Sequence, residues 1–179
     1  MPDDLPADEA APLLCAGITV FDSLRNSGAR AGDTVAISRG GDKKALATKL
    51  GAHEYVDISA GAPSEAPQKL GGTRVIPATA PDSKSISALV DGLSGNGKLL
   101  IGGAGLESLT VTPLQLIGGR KAIQGWPSGT AKDSEETLRF SSLRGVRPMI
   151  ERYPLEKSAE AYRQMISGAR FRVVLTMGG

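Results

Sequence analysis

The stretch GDTVAISRGGDKKALATKLGAHEYVD (residues 32–57) decides how the rest of the chain is read. "TVAIS" has the apolar, β-branched character of a buried strand. It runs straight into "SRGGDKK", a polar loop carrying glycines and cations, and then into "GDKKALATKLG", whose spacing predicts a helix. Asp42 is the expected N-terminal cap of that helix and Gly51 its stop, with Ala45, Leu46, Lys49 and Leu50 forming its inner face. "EYVDI" follows as a second strand. Strand, loop, helix and strand in this order make a βαβ unit.

The same grammar continues outward. "TRVIPAT" and "GKLLIGG" read as buried strands, and "SKSISALVDGL" between them supplies a crossover helix. Upstream, "PADEAAPLLCAGITVFDSLRNSG" reads as a helix. Ala11, Leu14, Cys15, Ile18, Phe21 and Leu24 or Arg25 recur on one face, and Gly28 is its stop. Downstream, "LEKSAEAYRQMISG" carries Leu155, Ala159, Tyr162 and Ile166 on one stripe, and "RFRVVLTM" closes the chain as a strand. Parallel strands joined by right-handed helical crossovers form an open sheet covered on both faces. The predicted fold class is α/β, a Rossmann-like doubly wound parallel sheet in a single domain over residues 1–179.

Composition narrows the function. With 179 residues, 40% hydrophobic and 22% charged, the chain is long enough to bury a core. Its 21 Lys and Arg against 19 Asp and Glu give a formal charge of +2, which supplies no broad field for nucleic acid or an anionic membrane. Any anion binding is local. A lone cysteine forms no internal disulfide, the N-terminal stretch is acidic ahead of its short apolar run, and no apolar segment approaches the roughly 18 to 20 residues of a membrane helix. A soluble protein in a reducing, cytoplasmic setting is expected.

Ser38, Arg39 and Lys43 stand at the end of a strand, where a hydroxyl and two cations can converge on a phosphate. Read by pattern alone, they equally describe a solvated basic loop. "IGGAG" (residues 101–105) is a glycine run after a strand, more in keeping with an ordinary turn than with a phosphate cradle. The sole histidine, His53, reads as a surface residue, so no Ser-His-Asp arrangement is available and no paired carboxylates stand out. Hydrolysis has no support. One thiolate, Cys15, cannot hold a catalytic metal that needs three protein ligands, and by pattern it is a small core residue of its helix. "KAIQGW" (residues 121–126) is an apolar strand that suits either the interior or an exposed sheet edge, with Trp126 packing near it.

"AAPLLCAGITVFDSLRNSGARAGDTVA", "KLGAHEYVD" and "GGRKAIQGWPSGT" together resemble the zinc-dependent, medium-chain alcohol dehydrogenases, most of all the cinnamyl-alcohol-dehydrogenase-like, NADP-dependent branch. The resemblance covers nearly the whole chain in family order and corresponds to the family's cofactor-binding half. It implies that Ser38, Arg39 and Lys43 read the 2′-phosphate of NADP, where an NAD site would favour an acidic residue for the ribose hydroxyls. It further implies that Thr19, Val20, Ala78, Thr79, Gly102, Gly103 and Arg172 touch cofactor, and that Cys15 stands at a position ligating the catalytic zinc. It also implies that residues 121–126 pair with the same edge of a second subunit. Nothing corresponds to the family's N-terminal catalytic domain, which supplies most zinc ligands. The family's glycine-rich turn is missing too: the two strands that flank it are fused near Ala36 and Ile37, a loss of about one strand-helix crossover. The resemblance therefore leaves three readings: an NADP-dependent alcohol or aldehyde oxidoreductase impaired or inactive alone, a noncatalytic NADP-binding or dimerising module, or a truncated gene product.

Overall fold

The structure, a computed structural model, describes residues 1–30, 36–38, 41–57, 61–103 and 105–178, with the backbone alone described for 36–38. Arg39, and Thr34 and Val35 of the first strand, lie outside the described residues.

The first helical segment runs as α1 (Ala7–Pro12), one π-helical turn (Leu13–Gly17) and α2 (Ile18–Ser27), and Gly28 stops it at φ +82°. There follow β1 (Ala36–Ser38), a 3-10 turn (Gly41–Lys43), α3 (Lys44–Lys49), β2 (Tyr55–Asp57), α4 (Glu65–Lys69), β3 (Thr73–Ala78) and α5 (Ser83–Leu89). The chain continues with β4 (Leu93–Ile101), α6 (Pro113–Ile117), β5 (Ala122–Gly125), α7 (Ala131–Arg144), β6 (Ile150–Pro154), α8 (Ser158–Ile166) and β7 (Arg172–Thr176). Among the described residues every strand pairing is parallel: β1 with β2, β3 with β4 and β4 with β5, and β6 with β7. The predicted α/β class with parallel strands is what the chain adopts.

Two compact units emerge, Ser23–Pro127 on one hand and Met1–Asp22 with Ser128–Gly179 on the other. In the first, the sheet β3-β4-β5 is built on Ile76, Ala78, Ile86, Leu89, Val90, Leu93 and Leu99, with Val90 and Leu99 fully buried. Helix α5 is the expected crossover, capped by Asp82, whose carboxylate accepts from Ser85 N–H at 3.3 Å. It ends earlier than its sequence pattern suggested: residues 90–92 form a 3-10 turn and Leu93 already starts β4. That turn is held from three sides, because Lys121 Nζ donates to the Val90 carbonyl, Gln68 Nε2 to the Asp91 carbonyl and Gln115 Nε2 to the Asp91 carboxylate. The Lys121 ammonium satisfies the carbonyl of fully buried Val90, which would otherwise be left unpaired, while the two contacts to exposed Asp91 tie the turn to α4 and α6.

The second unit repeats strand, helix and strand as β6, α8 and β7, and α7 begins at a Thr130/Asp133 capping box and ends at Gly145, φ +64°. Leu5, Ala10, Leu13 and Leu138 form its small core. Around them, Arg147 pairs with Asp4 (2.9 Å) and Glu9 (3.5 Å), and Arg152 pairs with Asp8 and with Glu9 (3.3 Å). The hydrogen bond from Arg152 lowers the Asp8 pKa below its usual range, and the Ser142 hydroxyl does the same for Asp4, with Arg147 adding to it.

Several sequence expectations need correction. Of the predicted face of the first helix, Ile18 is buried as expected, while Ala11, Leu14 and Cys15 are exposed and Ala10 and Leu13 are buried in their place. The π turn is the reason. Its wider winding puts Leu13 and Ile18, five residues apart, on one side, so a regular three-and-four spacing loses register there. Cys15 is therefore a solvent-facing thiol, not a core residue. Asp42 lies inside the 3-10 turn and does not cap α3, which has no side-chain cap and no buried residue. On α8 the stripe Leu155, Tyr162 and Ile166 is exposed, and Ala161 is the buried contact. Elements α4, α6, α7 and β6 carry no reading in the sequence above.

Candidate functional site

Ligands of open α/β sheets bind outside the carboxyl ends of the strands. In the unit Ser23–Pro127, the carboxyl ends of β3, β4 and β5 are laced together by backbone hydrogen bonds. The amides of Gly102 (2.9 Å) and Gly103 (3.1 Å) both donate to the carbonyl of Ala78, and Trp126 N–H donates to the Ile101 carbonyl at 2.9 Å. Thr79 follows Ala78 and is exposed. The glycines are demanded by this crossing, since a Cβ on Gly103 would meet the Thr79 carbonyl oxygen at 2.5 Å and one on Gly105 the Pro81 oxygen at 2.6 Å. Two amides already engaged by one carbonyl are not orphan donors, so "IGGAG" is a strand-crossing turn and not a phosphate cradle.

Beside this crossing lies a cavity of about 540 Å³, with Ser83, Ile86, Ile101, Gly103, Glu107 and Trp126 in its lining. Its surface is mainly apolar with a few convergent polar groups, the usual make-up of a small-molecule site. Ser83 is buried, and its hydroxyl donates to the Glu107 carbonyl at 2.8 Å, pinning the loop after β4 against the start of α5. Sequence reasoning passed over Ser83. A serine directly after a helix cap gives no signal that a loop 24 residues on will reach back to it.

At the carboxyl end of β1, Ser38 is in register with Asp57 of β2, and Lys43 closes the exposed 3-10 turn. Arg39, between them in sequence, is outside the described residues. The Asp57 carboxylate lies 3.8 Å from where a Cβ on Gly41 would stand, so this turn faces an acid as well as its own cations. That acid was also missed. It stands at the end of "EYVDI", and only the parallel register of β1 and β2 brings it level with Ser38. His53 is exposed ahead of β2, as read from the sequence.

The remaining candidates fall in the other unit. Thr19 and Val20 are half-buried on α2, with the Thr19 hydroxyl donating to the Cys15 carbonyl at 2.8 Å, and Arg172 is exposed at the start of β7. The structure thus gathers Ala78, Thr79, Gly102 and Gly103 at one strand crossing, and Ser38 and Lys43 about one turn. Among the described residues no three of His, Cys, Asp and Glu come together to hold a metal ion. Cys15 by itself does not fit a zinc centre. No helix of the described residues is long and apolar enough to cross a membrane.

No family model matches the chain. It is 41% identical over 202 residues to an alcohol dehydrogenase, patD, of Penicillium expansum, a match covering 99% of this chain and 59% of that protein. An alcohol dehydrogenase of Geobacillus stearothermophilus is 30% identical over 207 residues, covering 99% of this chain and 60% of its own length. Among solved structures, an alcohol dehydrogenase zinc-binding domain protein of Burkholderia ambifaria superposes with a TM-score of 0.88 at 20% identity, over 100% of this chain and 58% of that one. A cinnamyl alcohol dehydrogenase of Helicobacter pylori, solved in complex with NADP(H), gives 0.76 at 20% identity, over 96% and 55%. At these identities the structural matches bear on the fold, and the sequence matches bear on descent. The chain is homologous, over nearly all of its length, to the medium-chain, zinc-type alcohol dehydrogenases, and it spans about three fifths of the length of the relatives it matches.

Proposed function

We propose that the chain is the cofactor-binding portion of an NADP-dependent oxidoreductase of the alcohol dehydrogenase type, acting on alcohols and aldehydes, and impaired or inactive by itself. The observation that carries this reading is the meeting of the β3 and β4 carboxyl ends at Ala78, Gly102 and Gly103 beside a largely apolar cavity. Cofactor ribose and nicotinamide would lie against that crossing. Ser38, Arg39 and Lys43 would hold the 2′-phosphate, with Thr19, Val20, Thr79 and Arg172 as further contacts. NADP, when bound, supplies the hydride chemistry; the chain's own residues bind and orient it. Among relatives of the same fold, one was solved with NADP(H), which supports the choice of cofactor.

Two considerations support the reading of impairment. A catalytic zinc needs three protein ligands, and no three of His, Cys, Asp and Glu come together among the described residues. The match with the Penicillium protein runs over 202 positions against a chain of 179 residues, so at least 23 of those positions have no counterpart here. A loss of that size suits one strand-helix crossover near Ala36 and Ile37, where a glycine-rich turn would otherwise meet the pyrophosphate. Cofactor affinity is accordingly reduced. We place the protein in the cytoplasm.

A second reading, a dimerising module, is favoured by one observation: β5 is the edge of the sheet β3-β4-β5 and is mostly exposed. Residues 121–126 would pair with the same strand of a second copy. Titration with NADPH and NADH tests the first reading, and sedimentation of a Gly125→Pro variant tests the second: the Trp126 N–H turns inward to Ile101, so the alternate amide of Gly125 faces the open edge and is the one removed.

A further inference from the structure

Two serines on one face of α5 fasten the loop that walls the cavity at the strand crossing. The Ser83 hydroxyl donates to the Glu107 carbonyl at 2.8 Å. The Ser87 hydroxyl accepts from the Thr110 N–H at 3.0 Å and donates to the Ser83 carbonyl at 2.7 Å. At i and i+4 of a helix, the two side chains lie one above the other. The loop they hold puts Gly105, Glu107 and Leu109, every second residue, into the cavity lining, while Leu106 between them is fully exposed. It therefore runs extended along the cavity, with successive residues turned alternately inward and outward. Its start is drawn in as closely, since a Cβ on Gly105 would meet the Pro81 oxygen at 2.6 Å and Ser83 Oγ at 3.2 Å.

We propose, on the cofactor reading above, that Ser83 and Ser87 are positioning residues for the nicotinamide end of the cofactor, fixing residues 105–110 as the wall against which the ring lies. Three observations select this role. Ile86, Ile101, Leu109 and Trp126 line the cavity, and such surfaces suit a flat uncharged ring such as dihydronicotinamide rather than a phosphate. Ile86 is buried in the core on α5 and Ile101 belongs to β4, so the sheet and its helix fix them, whereas Leu109 stands on a segment without helix or strand. Among the described residues no backbone–backbone hydrogen bond holds residues 105–111, which leaves the two serine contacts as the hydrogen bonds that set where this wall stands.

A tether that served stability alone would bury something at its far end. Glu107 and Thr110 are both exposed, so the two bonds add little to the core and instead hold a surface segment in place beside a cavity. A wall placed before the ligand arrives lowers the ordering cost of binding. Without the hydroxyls, the Glu107 carbonyl and the Thr110 N–H turn to water and the wall loses its fixed position.

Calorimetric titration of the folded chain with NADPH and with 2′-phospho-ADP-ribose, which lacks the nicotinamide ring, tests this. NADPH is expected to bind more tightly than the fragment. That excess is expected to shrink by about threefold or more in Ser83→Ala and in Ser87→Ala, the worth of one hydrogen bond, with the affinity for the fragment unchanged. Ser87→Thr keeps the hydroxyl and is expected to keep the excess. Ser83 is buried and Ser87 only half-buried, so Ser87→Ala carries the test if Ser83→Ala unfolds; urea midpoints read the fold of each variant. Equal weakening of both ligands overturns the proposal, as does unchanged NADPH binding in the alanine variants or a Ser87→Thr chain that behaves as Ser87→Ala. A wild-type chain that binds NADPH and the fragment equally also overturns it, because the ring then draws nothing from the cavity. Folded wild-type chain that binds neither ligand rejects the cofactor reading itself, and this role with it.

Discussion

Gly103 stands so close to Thr79 that a Cβ on it would come within 2.5 Å of the Thr79 carbonyl oxygen and 2.8 Å of the carbonyl carbon. The neighbour is backbone at the exit of a buried strand and has no flexible end that can swing away. Gly103→Ala must push the β3 and β4 exits apart and weaken the two hydrogen bonds to Ala78. A loss of about 1–3 kcal/mol is expected, the usual range for an overpacked site, in urea denaturation. Gly125→Ala, with nothing within 4 Å of its added methyl, is the matched control and is expected to cost far less.

Thr73 carries a buried hydroxyl with no hydrogen-bond partner, while Ser83 carries a buried hydroxyl bonded to the Glu107 carbonyl. Thr73→Val removes an unsatisfied group and keeps the shape, so stability is expected to hold or to rise by up to about 1 kcal/mol. Ser83→Ala leaves the Glu107 carbonyl without its donor and is expected to cost roughly 1 kcal/mol or more. Paired thermal melts of the two variants read the difference, and a Thr73→Val loss equal to that of Ser83→Ala contradicts it.

The clasp of Asp4 and Asp8 onto Arg147 and Arg152 predicts an acid response. Both carboxyl pKa values are lowered in the folded chain, so their contribution is fully present above the ordinary carboxylate value of about 3.9 and is lost as pH falls through the lowered values. The N-terminal segment should loosen below about pH 4. In Arg147→Ala/Arg152→Ala that part of the pH dependence flattens, which exchange of the residue 5–13 amides reads directly. An unchanged profile contradicts it.

The exposed stripe of α8 yields a contrast with the sheet core. Ile166→Lys, at a position 64% exposed, is expected to change stability by no more than about 0.5 kcal/mol. Leu99→Ala, at a fully buried position, is expected to cost about 2–5 kcal/mol. Sequence periodicity alone would place Ile166 in the core.

That contrast shows where sequence legibility stopped. Short apolar runs with glycine and proline boundaries identified β3 and β4, because a strand buried within a sheet leaves little freedom in composition, and the same signal found β2 and β7 although these lie in two-stranded sheets and are only partly buried. The helix carrying Cys15 was found, but its face was misassigned, because a π turn changes the winding without any residue type that signals it. Helix α7 went unread although Thr130 and Asp133 form its capping box, since its strongly polar composition leaves only Thr137, Leu138 and Ser141 buried. At the site, Gly102 and Gly103 were legible as glycines but not in their role: their closeness to Ala78 and Thr79 is set by the β3-β4 register, a long-range property. Asp57 and Ser83 were hidden for the same reason.

The central claim is that this chain binds NADP through the loop after β1. Trp126 lines the cavity at the strand crossing and so reports on an occupant there. The deciding measurement is a titration of the folded chain with NADPH and with NADH, followed by Trp126 fluorescence, repeated on Arg39→Ala. The account predicts saturable NADPH binding, weaker by about tenfold or more, some 1.4 kcal/mol, for NADH and for the variant. Equal binding of both cofactors, or no binding by folded protein, contradicts it.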